Sequence, residues 1–321
     1  MQPKKFLLQL LKIVVSLGLI IFLLIKISPG KLVPHLASLN PLFIAVSLVV
    51  FFVSSLLGAV QWYILIRTGG IELSFPRALK LYFVGLFFNN FLPANVGGDA
   101  VKIYDVVRVG NDPYQVFAIT LLDRIIGITG LCLLAIAASV SLIPIGATEN
   151  LVVFMLIFIG CIAPVLALIL NRRLSRGVRK LFGMIKLWGL GERFNAIFEH
   201  LGSFRHLRTL LLRLLLLALV VQFLRVATHI FVGRALGIEV TSWNFVHFYV
   251  FIPLLGLIMV LPISINGLGV REGTGILLFT RIGFSEERAL LMEFLTYVVM
   301  VVVSLIGGII FLGRHLRRGP E

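Results

Sequence analysis

Charged residues are scarce in this chain, at 13% of its 321 positions, whereas a typical soluble domain carries about 25%. Acidic residues are the scarcest, with 14 Asp and Glu against 29 Lys and Arg. Both cysteines, Cys132 and Cys161, lie in apolar runs, so we expect small core residues rather than a disulfide or a ligand pair. Together with 59% hydrophobic residues, this composition excludes an ordinary soluble domain.

Signatures of common enzyme sites are missing as well. The chain has no HExxH, no Cys/His metal spacing, no GxSxG elbow and no Walker loop. The glycines of Asn266-Gly267-Leu268-Gly269 do not follow a predicted strand, so we do not expect a nucleotide cradle there. We therefore expect no metal, no cofactor and no catalytic residue. We also expect no nucleic-acid partner, because the basic residues lack a supporting motif.

Long apolar runs are what the chain has instead, and its mean hydropathy is +1.07. Several runs reach the ~20 residues that a helix needs to cross the hydrocarbon core of a bilayer. The predicted spanning helices cover residues 8–27, 41–66, 117–143, 150–171, 209–232 and 286–313. We expect the first to be a retained helix, because no small-residue cleavage site follows it. The sequence predicts one all-α polytopic membrane domain over residues 1–321.

Basic residues indicate how this domain is oriented. The loop 171–208 contains nine Lys and Arg against two Glu, and such an excess marks the cytoplasmic side. We expect both termini on that side as well. Each of the segments 78–116 and 244–282 must then start and finish on the same side of the membrane, and the side differs between the two segments. We predict that they are re-entrant or broken helical hairpins that enter from opposite sides.

A weak internal repeat supports this pairing. Repeat one covers residues 41–170 after an N-terminal helix and loop at 1–40, and repeat two covers residues 209–313. A shift of 167 positions aligns Arg67, Gly70, Ile71, Glu72 and Tyr82 with Arg234, Gly237, Ile238, Glu239 and Tyr249. The aligned helices run in opposite directions, which predicts an inverted repeat with its transport site near the interrupted helices.

The two interrupted segments carry polar, glycine-rich stretches, which a bilayer tolerates only where they are buried in protein or line a wet cavity. The candidate site residues are Asn90, Pro93, Asn95, Gly97, Gly98, Asp99 and Lys102 on the first segment, and Asn266, Gly267, Gly269, Arg271 and Glu272 on the second. Asp99 is expected to cap a helix. It either does so alone, with a charge ladder to Lys102 on a wet face, or it also contributes to the site. Arg271 and Glu272 either face an outer vestibule or form an exposed pair of little consequence.

Ionisable residues also occur inside the predicted spans. Arg225 lies near the middle of the 209–232 run, with Gln222 and His229 on the same helix face. Such a residue is expensive in a membrane and usually faces a bundle interior or a water cavity, so we favour a functional role over a structural one. Asp123 and Arg124 are adjacent and need separate partners. They either form structural contacts between helices or belong to the site, and Glu293 sits alone in the last run.

At these segments the chain resembles the membrane region of bacterial lysylphosphatidylglycerol synthases, the flippase-like family. The resemblance rests on Phe88-Asn89-Asn90-Phe91-Leu92-Pro93 with Gly97-Gly98-Asp99, and on residues 261–273, and it extends over residues 8–313. It implies a protein of the prokaryotic cytoplasmic membrane that moves aminoacylated phosphatidylglycerol between leaflets. A separate soluble domain attaches the amino acid in the two-domain synthases. This chain ends soon after its last predicted helix, so we expect the translocating part without lysyl transfer, and no enzyme.

The expected function is therefore movement of an anionic or aminoacylated phospholipid, or of a polyprenyl-linked lipid. Membrane lipids are the expected partners, together with a lipid-modifying synthase. Helix N-termini near the interruptions and Arg225 would attract a phosphate, and Asp99 would suit an amine or a coupled proton. One alternative is a membrane-embedded glycosyl- or phosphotransferase with a polyprenyl-phosphate donor. Another is a non-transporting subunit that tethers enzymes through the 171–208 loop.

Overall fold

The computed structural model describes residues 29–91, 97–142, 148–171, 173–174, 176–178, 190–259 and 267–316. The predicted first span, 8–27, lies outside these residues. The principal helices in chain order are α1 Pro29–Ala37, α2 Pro41–Thr68, α3 Phe75–Phe91, α4 Gly97–Val107, α5 Pro113–Leu142, α6 Thr148–Leu170, α7 Leu190–Ser203, α8 Arg208–Ala235, α9 Ser242–Ile258, α10 Val270–Phe279 and α11 Glu286–Leu316. No strand occurs in the described ranges, and the all-α class is confirmed.

Four of these helices, α2, α5, α8 and α11, are long and apolar enough to cross a membrane. Only 28–39% of the most apolar window of each is buried inside the protein, which leaves apolar surface on each helix of the kind that contacts lipid. On α11 the outward side chains recur every three or four positions, as one helix face requires. Those at this spacing are Phe294, Val298, Val302, Leu305, Ile309 and Leu312, and Ile306 is exposed beside them. The structure is therefore that of a polytopic membrane protein.

The ends of the spans differ from the predicted ones by a few residues, and α5 shows why. It begins at Pro113 rather than at 117. Pro113 occupies the first helical position, which suits proline because that backbone N–H needs no partner. Asp112 accepts backbone N–H groups from Tyr114 at 3.2 Å and Gln115 at 3.3 Å. This N-cap signal precedes the apolar run, so hydropathy alone places the start too late.

The interrupted elements are built from shorter helices. Helix α3 has 17 residues and ends at Phe91, and helix α4 has 11 residues and begins at Gly97. Helix α9 also has 17 residues, and α10 has 10. A helix of 17 residues rises ~26 Å, which is short of the ~30 Å hydrocarbon core. The helices therefore stop where the sequence placed its interruptions, although residues 92–96 and 260–266 themselves lie outside the description.

The chain divides into two compact units. The first consists of residues 1–55, 82–101 and 223–321, and the second of residues 56–81 and 102–222. Each unit contains parts of both predicted repeats, 41–170 and 209–313. The units therefore do not correspond to the repeats, and the inverted repeat stays a prediction.

In the first unit, glycine allows α11 to approach α3 closely. A Cβ on Gly307 would overlap the Phe83 carbonyl group, and a Cβ on Gly308 would lie 2.8 Å from the Phe87 ring. One turn further along, Phe88 meets Phe311 edge to face with ring centroids 5.0 Å apart. Small residues at a helix interface let backbones touch and gain dispersion contacts that lipid cannot replace. Helix α11 is therefore seated on α3 by backbone contact.

In the second unit, α5 packs against α6 and α7. A Cβ on Gly130 would lie 3.2 Å from the Ala218 backbone, so α5 also lies close to the first half of α8. The two cysteines differ in environment, because Cys132 is buried and Cys161 is exposed. The expectation of a core position is wrong for Cys161, which lies on an outward face of the apolar helix α6.

Two helix ends that the repeat aligns have the same backbone structure. Gly70 follows α2 with φ +85°, and Gly237 follows α8 with φ +71°, a region that residues with a Cβ rarely adopt. The matching hydrogen bonds are Gly70 N to Arg67 O at 3.0 Å with Ile71 N to Ile66 O at 3.2 Å, and Gly237 N to Arg234 O at 3.1 Å with Ile238 N to Gly233 O at 3.0 Å. Both are Schellman turns, and each leads into a helix of 17 residues, α3 or α9.

Candidate functional site

Four ionisable side chains are buried together in the first compact unit, and we call them the buried tetrad: His229 of α8, Arg271 and Glu272 of α10, and Glu293 of α11. Their relative exposures are 4%, 2%, 3% and 0%. A buried charge is costly unless it is paired and hydrogen-bonded. The contacts of each member therefore decide whether the tetrad is a structural feature or has groups left for a ligand.

Both carboxylate oxygens of Glu272 accept hydrogen bonds from residues at the start of its own helix. Its Oε2 accepts the Gly269 N–H at 2.6 Å, and its Oε1 accepts from Arg271 Nη2 at 3.0 Å. The first contact is the glutamate half of a capping box at the start of α10. The backbone at Gly269, with φ +83°, turns its amide toward the carboxylate. The alternative of an exposed Arg271–Glu272 pair is wrong, because both side chains are buried.

Glu293 has weaker contacts than Glu272. Its Oε2 lies 3.6 Å from Arg271 Nε and 3.6 Å from His229 Nε2. Both distances fit an ion pair but exceed a hydrogen bond, and within the described residues neither carboxylate oxygen accepts a hydrogen bond. A Cβ on Gly275 would lie 2.7 Å from Glu293 Cγ. The missing side chain at position 275 is therefore what lets Glu293 lie against α10.

His229 is oriented by its own helix. Its Nδ1 lies 3.1 Å from the Arg225 carbonyl oxygen. A carbonyl oxygen only accepts, so Nδ1 carries the proton of this bond. The other ring nitrogen, Nε2, is thereby aimed at Glu293. The sequence placed His229 and Arg225 on one face of α8, and this contact joins the His229 ring to the backbone of Arg225.

The tetrad also reaches the first interrupted segment. The Arg271 guanidinium lies 4.9 Å from the centre of the Tyr297 ring, within the range of a cation–π contact. The Tyr297 hydroxyl donates to the Asn90 carbonyl oxygen at 3.4 Å, and Asn90 is 6% exposed. The structure thus links Asn90 to Arg271 through Tyr297, so both interrupted segments contribute to one buried polar cluster.

The start of α4 belongs to the same unit. The Gly98 N–H donates to Asn89 Oδ1 at 2.8 Å, and a Cβ on Gly98 would overlap the Gly85 carbonyl group. Because α4 begins at Gly97, Asp99 lies in the first turn and the expected N-cap position is wrong. Asp99 is 5% exposed, so the alternative that placed it on a wet face is also wrong. A carboxylate in the first turn still interacts favourably with the helix dipole.

The structure gives fewer contacts for the other residues that the sequence predicts in this unit. Arg225 is half-buried, and its Nε makes no hydrogen bond within the described residues. Gly267 is buried with φ +74°, just before α10. Pro93, Asn95 and Asn266 lie outside the described residues.

The second compact unit contains the other predicted residues: Lys102, Asp123 and Arg124. Gln61 Nε2 donates to Asp123 Oδ1 at 2.8 Å, which gives Asp123 the partner on another helix that the sequence required. Lys102 Nζ lies 5.1 Å from the centre of the Trp62 ring and Lys102 is 5% exposed. The wet face expected for Lys102 is therefore wrong. Arg124 is half-buried.

The profile of the lysylphosphatidylglycerol synthase transmembrane region matches residues 9–311 of the chain. The chain belongs to this family. A UPF0104 membrane protein of Pyrococcus horikoshii is 24% identical over 336 aligned positions, which cover 96% of this chain and 97% of that protein. A UPF0104 membrane protein of Methanothermobacter thermautotrophicus is 27% identical over 112 positions, which cover 35% of this chain and 32% of that protein.

In this member of the synthase transmembrane-region family, sequence reasoning missed part of the cluster. Tyr297 gave no signal, because an aromatic residue in an apolar run resembles any lipid-facing one. Glu293 gave a clear signal as a lone carboxylate in a span, but its partners lie on other helices. Gln61 is a single amide in the long apolar run of α2 and could have been identified by the same criterion.

Proposed function

We propose that this protein moves a lipid between the leaflets of a prokaryotic cytoplasmic membrane, with both termini on the cytoplasmic side. The expected cargo is an anionic or aminoacylated phospholipid or a polyprenyl-linked lipid. One observation carries the proposal: within one unit, helices α8, α10 and α11 bury the four ionisable residues of the tetrad, and Tyr297 links them to the buried Asn90. Membership of the synthase transmembrane-region family supports a lipid as the cargo.

The physical reason is the cost of moving a headgroup through hydrocarbon. A charged or zwitterionic headgroup needs donors and acceptors along its path, while its acyl tails can stay in lipid. Ionisable residues inside membrane segments are rare for the same reason and usually face a cavity or a bundle interior. Four buried ionisable side chains cost more free energy than apolar side chains of the same volume would. Their presence therefore favours a functional role for their charge.

Arg225 is the residue best suited to a phosphate. It lies on the turn of α8 that precedes His229, and its carbonyl oxygen already holds the His229 ring. Its half-buried guanidinium has a donor, Nε, without a hydrogen bond in the described structure. A guanidinium can bind a phosphate with two parallel hydrogen bonds. Helix α4 begins at Gly97 in the same unit, and a helix N-terminus also favours an anion.

Asp99 would complement an aminoacylated headgroup, which carries an ammonium group besides its phosphate. It is buried in the first turn of α4, and it belongs to the same unit as Arg225. A site with a guanidinium for phosphate and a carboxylate for amine would distinguish an aminoacylated lipid from a purely anionic one.

The test is leaflet exchange in proteoliposomes. Purified protein would be reconstituted with fluorescent phosphatidylglycerol, lysylphosphatidylglycerol, a zwitterionic phospholipid or a polyprenyl phosphate, and a membrane-impermeant quencher would report transfer. Arg225→Ala is the test variant. Arg213→Ala is its matched control, because Arg213 is on the same helix but exposed. A cooperative thermal unfolding transition like that of the wild-type protein would show that each variant is folded.

We expect wild-type protein and Arg213→Ala to exchange one headgroup class, and Arg225→Ala to lose that exchange. Unchanged exchange by folded Arg225→Ala would contradict the role of that residue. Absence of exchange of every lipid by folded wild-type protein would reject the translocator and leave the transferase or tethering-subunit alternatives.

A further inference from the structure

We infer that His229 and Glu293 form a proton-binding site inside the first unit, and that proton binding there is coupled to lipid movement. The coupling rests on the proposed function, whereas the proton site rests on the geometry of the tetrad alone. The ligand is a single proton shared between His229 Nε2 and Glu293 Oε2, which lie 3.6 Å apart.

The charges of the tetrad provide the first argument. Arg271 supplies one fixed positive charge, and its close hydrogen bond at 3.0 Å is to Glu272, which also accepts the Gly269 amide. Glu293 has the longer contact of 3.6 Å to the same guanidinium. Because Glu272 and Glu293 share this one cation and Glu293 is at 0% exposure, two ionised carboxylates would leave one buried negative charge uncompensated. Burial of such a group without compensation is very costly, and one added proton removes the imbalance.

The orientation of His229 provides the second argument. Because Nδ1 donates to the Arg225 carbonyl oxygen, a neutral ring presents the lone pair of Nε2 toward Glu293. An ionised carboxylate would face that lone pair with no hydrogen between them. A proton on either partner resolves this, giving an imidazolium beside a carboxylate or a neutral imidazole beside a carboxylic acid. The pair is therefore built to hold one exchangeable proton.

The surroundings of the pair are suited to release as well as uptake of this proton. Arg271 approaches Glu293 Oε2 at 3.6 Å from α10, so its guanidinium is placed to remain beside the carboxylate after the proton leaves. The same guanidinium donates to Glu272 at 3.0 Å and lies 4.9 Å from the centre of the Tyr297 ring. Movement of Arg271 toward a passing phosphate would remove this contact, and a proton on the His229–Glu293 pair would take its place. This link between phosphate binding by Arg271 and proton binding by the His229–Glu293 pair is the coupling that we propose.

The first experiment measures coupling in the exchange assay. Wild-type exchange would be recorded with and without an imposed pH gradient at a clamped membrane potential. We expect the gradient to change the exchange rate, and Glu293→Gln to abolish that dependence, because the amide keeps the shape but cannot bind the proton. Glu286→Gln is the matched control, since it makes the same chemical change at the start of the same helix, and it should retain the dependence.

The second experiment observes the proton directly and does not require transport. Infrared difference spectra of reconstituted wild-type protein between alkaline and acidic buffer should contain either a carboxylic-acid carbonyl band that is lost in Glu293→Gln or an imidazolium ring band that is lost in His229→Gln. Wild-type protein that exchanges lipid without any response to the gradient would overturn the coupling and leave the translocator intact. A wild-type spectrum with neither band would overturn the proton site, whatever the exchange assay shows.

Discussion

Replacing Gly275 by alanine is the sharpest test of how the tetrad is packed. Both Gly275 and Gly273 lie within α10. A Cβ at position 275 would be 2.7 Å from Glu293 Cγ, whereas a Cβ at position 273 would meet nothing within 4 Å. The two Gly→Ala substitutions are therefore chemically identical, and they differ in whether the new methyl group strikes Glu293.

The expected difference can be worked out from these distances. An alanine in an open helical position is more stable than glycine by up to about 1 kcal/mol, which is the effect expected for Gly273→Ala. Overpacking at position 275 costs about 1–3 kcal/mol. When the Glu293 carboxylate retreats by about 1 Å, its attraction to Arg271 falls by about 1 kcal/mol at an effective dielectric constant of about 20. Gly275→Ala should therefore be less stable than Gly273→Ala by about 2–4 kcal/mol.

The assay is thermal or denaturant-induced unfolding of detergent-solubilised protein, with both variants compared with wild type under one set of conditions. We expect Gly273→Ala to unfold at or above the wild-type midpoint and Gly275→Ala clearly below it. Leaflet exchange by the surviving folded Gly275→Ala protein should also respond less to a pH gradient. Equal effects of the two substitutions on unfolding would refute the close packing of Glu293 on α10.

Three further outcomes follow from the packing of the first unit. Gly307→Ala should lower the unfolding midpoint by forcing α11 away from the Phe83 carbonyl group, at a cost of about 1–3 kcal/mol, whereas Gly313→Ala on the same helix meets nothing within 4 Å and should be neutral or stabilising. Arg271→Met should cost about 3–5 kcal/mol in the same unfolding assay, because it leaves two buried carboxylates without their cation. Gly98→Ala should reduce both unfolding stability and lipid exchange, since its Cβ would overlap a backbone carbonyl of α3; full activity would show that α4 is free to shift.

The spanning helices could be predicted because their signal is local. A run of ~20 apolar residues has few alternatives in a membrane protein, and α2, α8 and α11 match the predicted spans to within three residues at either end. The start of α5 was missed because its signal is a cap, Asp112 followed by Pro113, which hydropathy does not measure. The ends of α3 and α9 were anticipated because each is followed within a few residues by a Leu-Pro pair and a glycine-rich stretch, a combination that disfavours continued helix.

The site could be predicted only in part, because its contacts join residues far apart in the chain. Asn90, Arg271 and Glu272 were selected as polar residues beside interruptions, and the structure links them in one cluster. Their burial was not foreseen, since an Arg-Glu pair gives the same signal on a surface as in a core. Gly275 and Gly273 are indistinguishable in sequence, although one touches Glu293 and the other touches nothing. Such differences arise from tertiary packing.

The position of Glu293 in the chain has a consequence for biosynthesis. A carboxylate entering the hydrocarbon region alone would oppose insertion of its helix by ~3 kcal/mol. Glu293 lies on α11, which leaves the ribosome after α8 and α10, the helices that carry His229 and Arg271. The groups that compensate its charge are therefore already made when it arrives. Insertion of α11 can therefore be driven by its packing against α8 and α10 as well as by its hydropathy. Loss of His229 or Arg271 should first reduce the membrane integration of α11.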